Sequence, residues 1–197
     1  RSVIYSDVRA ETKQDPLPPI YGRLYSLESL HERRFFTARK AQLKAVLRSE
    51  QHWLEGKEPS LSGLLLVGRH GSGRTSLLNI AQLELVAKRV IRIGDDDDRT
   101  DGLLAALAEE LRCAPDLVEI RVAIRSVKTA IIIDDLESWV RPDPSGMREF
   151  ERVLDVIIAT RGEAFWLAAV DEDALRLLDP LVALRQAFDR VLTLAPI

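Results

Sequence analysis

From residue 36 onward the chain alternates between two rhythms of apolar positions. Short, largely apolar runs at 63–67, 89–93, 129–133, 165–170 and 191–194 are separated by longer stretches in which apolar residues return every three or four positions. Runs of the first kind are too short for helices and most are apolar on both faces, which predicts strands buried inside a sheet; the second kind predicts amphipathic helices. Ala38, Ala41, Val46, Leu47 and Trp53 mark a helix over 36–54, closed by Gly56 and Pro59. Leu77, Leu78, Ala81 and Leu85 mark another over 74–87, and further helices are expected at 101–112 and 115–127. Met147, Phe150, Val153, Leu154, Ile157 and Ile158 share one helical face that stops at Gly162. Helical residues resume over 173–188, with a break expected at Asp179 and Pro180. Before residue 36 there is no sustained period, and Pro16, Pro18 and Pro19 interrupt a polar stretch. Residues 1–35 therefore read as an extended arm with short helical pieces.

Strands that alternate with helices predict a parallel sheet, because parallel neighbours need crossovers and the crossovers cover the sheet. The expected class is α/β: a three-layer sandwich around five parallel strands, forming one core domain over 36–197. Composition agrees with a single well-cored domain, at 46% hydrophobic and 30% charged residues in a chain of 197. A net charge of −3 argues against a surface built for a polyanion, so nucleic acid is not supported as a partner. The single cysteine, Cys113, excludes an intramolecular disulfide and a thiolate metal cluster, and it suits a reducing compartment. A cytoplasmic location is expected, including the cytoplasmic part of a membrane-associated protein. The sequence carries no apolar run of the ~20 residues that a membrane helix needs. It opens on Arg1, and its only methionine is Met147, so it is expected to be an excerpt from a longer protein.

Alternation does not choose among flavodoxin-like, dinucleotide-binding and phosphate-loop arrangements; the loops after the strands do. After the first strand comes Gly68-Arg69-His70-Gly71-Ser72-Gly73-Arg74-Thr75-Ser76, standing where aliphatics end and a helix begins. Three glycines let the backbone wrap so that successive N–H groups point inward at phosphate oxygens, and the helix that follows adds its positive end. A tight turn alone would not require Gly-x4-Gly, a cation and a hydroxyl in that order. Gly68, His70, Gly71, Ser72, Gly73, Arg74, Thr75 and Ser76 are the candidate nucleotide-binding residues, with His70 an exposed filler rather than a base. Thr75 is placed to offer its hydroxyl to magnesium. Arg74 stands where the motif has lysine; a planar, forked guanidinium can hold a phosphate, in a different geometry from an ammonium.

The second element is Ala130-Ile131-Ile132-Ile133-Asp134-Asp135, followed by Leu136, Glu137, Ser138 and Trp139. An aliphatic strand ending in two acids resembles a Walker B motif. Asp134 is then the magnesium carboxylate and Asp135 the base that polarises water, with Glu137 its substitute. Other features read as structural: 95–98 as a solvated turn rather than a calcium loop, and Trp139 with Arg141 as a packed loop.

Together these motifs resemble the AAA+ and STAND branches of the P-loop NTPases, including the KAP and origin-recognition-like groups, over about residues 36–197. The resemblance implies ATP and Mg2+ as ligands and a strand order of 5-1-4-3-2. It places strand 165–170 between the phosphate-loop strand and the strand ending at Asp134. It makes Asp171 the position of a polar sensor, where the family usually has Asn, Thr or Ser; the same aspartate is a natural helix N-cap. Arg185 and Arg190, around Phe188, stand near the place of the family's arginine finger, which acts on a neighbouring subunit and usually directly precedes the phenylalanine. A helical lid follows the fifth strand in the family, and the sequence ends where it would begin, so the lid is expected to be absent here. Three functions follow. The first is an ATP-driven conformational switch within a larger multidomain protein, an ATPase where turnover occurs, with the other domains or a homo-oligomer as partners. The second is a degenerate domain serving as an interaction scaffold, and the third a DNA-handling ATPase.

Overall fold

The computed structural model describes residues 31, 33, 36–37, 39–56, 62–93, 102–140 and 144–195. The expected arm, the acidic run at 95–98 and Arg141 lie outside these residues, apart from positions 31 and 33 of the arm. The elements in order are α1 (Lys40–Leu54), β1 (Gly63–Gly68), α2 (Arg74–Glu84), β2 (Arg89–Ile93), α3 (Leu103–Leu111), α4 (Leu117–Ser126), β3 (Thr129–Ile133), α5 (Pro144–Ala159), β4 (Phe165–Asp171), α6 (Glu172–Val182) and β5 (Arg190–Leu194). Two 3-10 turns, Leu136–Trp139 and Leu184–Ala187, follow β3 and α6.

All five strands are parallel, in the order β2-β3-β4-β1-β5. This is the 5-1-4-3-2 order that the resemblance implied. β4 pairs with β1 on one side, Gly68 opposite Asp171, and with β3 on the other, Ile133 opposite Ala168. The ends of β1, β3 and β4 therefore lie together along one edge of the sheet, and their following loops share one surface.

Burial explains why these runs are strands. All six residues of β1 are buried, as are all five of β3 and the first six of β4. Alternate residues enter different clusters, as the period of two requires. Leu65, Val67, Ile131, Ile133 and Trp166 pack with Leu107 of α3, Ile120 and Ile124 of α4, Phe150 and Ile157 of α5 and Leu175 of α6. Leu64, Leu66, Ile132, Phe165 and Leu167 pack with Val46 and Trp53 of α1 and Leu77, Leu78 and Ile80 of α2.

The element boundaries depart from the sequence expectation in two instructive places. The helix expected over 74–87 stops at Glu84, because the backbone N–H groups of Val86 and Ala87 both donate to one oxygen of the buried Glu50 on α1, each at 2.8 Å. The break expected at Asp179 and Pro180 is displaced: Pro180 lies inside α6, and the helix ends at Ala183 in the left-handed region, φ 50°. Proline forfeits one hydrogen bond to the preceding turn. Here that loss falls in the last turn, where Asp179 supports the exit by accepting from Arg185 N at 2.8 Å through its side chain and from Ala183 N through its carbonyl. Trp139 is buried in a core cluster, as a packed loop requires. No helix among the described residues is long and apolar enough to cross a membrane.

Candidate functional site

The loop from β1 to α2 begins at Gly68, where an added side chain would crowd the loop. A Cβ there would stand 2.4 Å from Ser72 Oγ and 3.1 Å from Leu194 Cβ. Ser72 is folded back over the strand end, its N–H donating to Arg69 O at 3.0 Å. Gly71 and Gly73 take φ values of 75° and 83°, a region other residues enter with strain. Gly73 is also the N-cap of α2, so no side chain caps the first turn of that helix, and its carbonyl accepts the first helical bond from Leu77 N. His70 and Gly71 are exposed at the loop tip, while Thr75 and Ser76 are half-buried in the first turn.

Buried Arg39, just before α1, braces this loop from behind. Its Nη2 donates to Ser72 O at 3.0 Å and to Ala195 O, tying the loop to the end of β5. Nothing in the sequence around Arg39 signals that role.

Arg74 opens α2 and is buried, yet its guanidinium faces three carboxylates. Nη1 donates to Glu137 Oε1 at 3.1 Å, while Nη2 lies 3.4 Å from Asp135 Oδ1 and 3.6 Å from Asp171 Oδ2. Each acid arrives from a different device. Asp135 follows β3 in the left-handed region, φ 42°, which turns the chain sharply off the strand. Glu137 sits in the 3-10 turn that this bend starts, and its Oε1 also accepts Asp171 N at 3.0 Å. Asp171 ends β4, and its Oδ1 caps α6 by accepting Asp173 N at 2.9 Å, which confirms the cap read from the sequence. Thus residues expected to be base, substitute base and sensor meet on the residue expected to be the phosphate cation.

Asp134 is buried at the end of β3 and carries a separate set of bonds. Its Oδ1 accepts Asp135 N at 3.1 Å and faces Thr75 Oγ1 at 3.5 Å. Its Oδ2 accepts Arg92 Nη2 at 2.7 Å. Arg92, on β2, was missed by sequence reasoning; the available signal was a charged residue beside the apolar end of a strand. Asn79 and Gln82 of α2 accept from its Nη1, the latter at 3.3 Å. Two arginines thus face four carboxylates.

Thr75 and Asp134 fit magnesium by donor chemistry, since both offer hard oxygens and the two converge beside the loop. Among the described residues no group of three or more His, Cys, Asp or Glu gathers as metal ligands, so an ion there would need oxygens from elsewhere, such as phosphates.

Arg185 and Arg190 do not join this site. Arg185 is exposed and pairs with Asp179, Nε to Oδ2 3.5 Å. Arg190 begins β5 opposite Leu64, whereas the glycine loop leaves β1 at Gly68 opposite Leu194, at the other end of the strand pair. Comparison with protein-family models and with curated protein sequences finds no match.

Proposed function

We propose that this chain is a three-layer P-loop NTPase core of the AAA+/STAND type that binds ATP and acts as a conformational switch within a larger protein. The observation that carries the reading is the glycine loop between a buried strand and a helix whose first residue, Arg74, lies against the ends of β3 and β4. Such a loop with an uncapped helix start is an anion site, and Arg74 is its mobile charge.

The switch follows from competition. A triphosphate seated on the loop draws the Arg74 guanidinium toward its oxygens and away from Asp135, Glu137 and Asp171. Glu137 is the hinge of that exchange, because one of its oxygens holds both Arg74 and the backbone of Asp171. Its release changes how the turn after β3 meets the start of α6. Thr75 and Asp134 would hold magnesium, which supplies charge compensation for the β- and γ-phosphates. Asp135 is the carboxylate that would orient water for hydrolysis, with Glu137 its substitute. The engagement of these acids by Arg74 favours slow turnover, so binding rather than hydrolysis is the core of the reading.

Calorimetry with non-hydrolysable analogues of ATP and GTP on wild type, Arg74→Ala and Arg74→Lys tests it. Arg74→Ala is expected to lose about 1.5–3 kcal/mol of triphosphate affinity, the range of a charge-assisted hydrogen bond, with less effect on adenosine. Arg74→Lys is expected to retain binding. Failure of all three to bind at millimolar ligand in the natural full-length protein would overturn the switch and leave the interaction scaffold.

A further inference from the structure

Arg39 is a buried cation with no counter-charge. It lies just before α1 with 7% of its surface exposed, and it pairs with no carboxylate among the described residues. Its Nη2 donates to two carbonyls, Ser72 O at 3.0 Å and Ala195 O, while its Nε is buried without a partner. Burying an unpaired charge is costly, and a neutral donor could tether a carbonyl with a smaller loss of hydration. Tethering the end of β5 therefore does not by itself account for a guanidinium at this place.

The other group it holds is one peptide unit of the glycine loop. The Ser72 carbonyl and the Gly73 N–H belong to the same trans peptide and point in opposite directions. With the oxygen fixed on Arg39, the Gly73 N–H faces away from it, and no group among the described residues accepts that N–H. It stands immediately before the uncapped first turn of α2, beside Arg74. Nothing within the loop fixes this orientation. Gly73 has φ 83°, and a residue that enters either half of the φ range readily also lets the Ser72–Gly73 peptide turn over. Ser72 Oγ is buried without a partner, so the serine side chain does not lock the peptide. Turned over, the peptide would set a carbonyl oxygen where the N–H now stands, and an anion there would meet repulsion in place of a donor.

We infer that Arg39 is a positioning residue: by holding Ser72 O it keeps the Gly73 N–H aimed at the phosphates of a bound nucleotide, without touching them itself. The inference rests on the nucleotide reading above, and the experiment separates their failures. The chain has ten glycines, so isotopic labelling of glycine nitrogen gives an amide spectrum simple enough to follow Gly73. A non-hydrolysable ATP analogue is titrated into wild type, Arg39→Met and Arg39→Lys. Gly63, whose N–H donates to Asp189 Oδ2 at the opposite end of β1, reports folding in the same spectra. In wild type the Gly73 amide proton is expected to move downfield on binding. Arg39→Met is expected to bind at least about tenfold more weakly, with the Gly73 shift abolished and Gly63 unchanged. Arg39→Lys, which keeps a donor for Ser72 O, is expected to lose about threefold and to show a reduced shift. A smaller loss in folded Arg39→Met overturns the inference. Weakened binding that keeps the full Gly73 shift overturns it too, since Arg39 then acts through charge or stability and not through the peptide. Wild-type binding that leaves Gly73 unmoved overturns it without any variant. Where loss of the Gly63 signal shows that Arg39→Met does not fold, Arg39→Lys decides: a full Gly73 shift overturns the inference and a reduced one supports it. Absence of binding in every arm overturns the nucleotide reading and this inference with it.

Discussion

Three single residues act by different physics, Gly68 and Arg74 at the site and Glu50 at the far end of α2. Gly68 acts by having no side chain: Gly68→Ala would drive a methyl into Ser72 Oγ, 2.4 Å away. Ser72 and Leu194 must then give way, at a cost of about 1–3 kcal/mol typical of overpacking. The expected outcome is lower stability by denaturant titration together with loss of triphosphate binding. Adding Ser72→Ala should recover part of the stability by removing the hydroxyl, but not all of it, since Leu194 Cβ is also close. Arg74 acts by charge, and its three acid partners give it a second consequence. In the absence of nucleotide, Arg74→Ala leaves Glu137, Asp135 and Asp171 facing one another. A loss of stability by denaturant titration, beyond that of an exposed arginine, is the expected signature. Glu50 acts through burial, which raises its pKa above the ordinary glutamate value, while the Val86 and Ala87 N–H groups pull it partly back. Because the folded state holds the proton more tightly than the unfolded chain does, this residue's contribution is fully present below the unfolded value, just above pH 4. It declines as pH rises through the raised folded value. Glu50→Gln keeps an acceptor oxygen and should remove that slope from pH-dependent denaturation; Glu50→Ala should cost about 1–3 kcal/mol by orphaning two amides.

At the scale of elements, the site is a junction of strand ends and helix starts. β1 passes into α2 through the glycine loop, β3 into a 3-10 turn through the left-handed Asp135, and β4 into α6 through the capping Asp171. Three exits of this kind on adjacent strands bring Arg74 and its acids together even though they are far apart in sequence. Nucleotide binding should therefore register at the exits rather than in the strands. Hydrogen exchange with and without the ATP analogue is expected to change at 136–139 and at the first turn of α6, while the buried centre of β4 stays slow in both states. A change confined to the loop at 69–73 would show that Arg74 does not leave its acids and would count against the switch.

At the scale of the whole molecule, the glycine loop is anchored both to the sheet interior and to α1, whose preceding residue Arg39 holds Ser72 and the end of β5. A ligand that binds only the folded state at a hundredfold over its dissociation constant adds about 2.7 kcal/mol. For a chain of this size that corresponds to a rise in melting temperature of about 5–10 °C. The expected result is such a rise with triphosphate, a smaller one with Arg74→Ala, and a smaller one with adenosine alone.

Much of this architecture was legible in the residues. Consecutive aliphatics at 63–67, 129–133 and 165–170 are apolar on both faces because their strands lie inside the sheet, so their type and parallel class follow from local pattern. The glycine spacing before Arg74 is likewise a local requirement, since backbone that must enter the left-handed region or pass under Ser72 admits little else. Strand order was not in the periodicity; it came with the family resemblance, and the pairing of β4 with both β1 and β3 bears it out. What only the tertiary structure decided are the partners. Pro180 stayed within its helix, Glu50 ended α2 from another helix, and Arg92 claimed the carboxylate read as a metal ligand. Each depends on groups brought within hydrogen-bonding distance by packing rather than by sequence spacing, and the energy of a charge or an amide depends on what meets it in space.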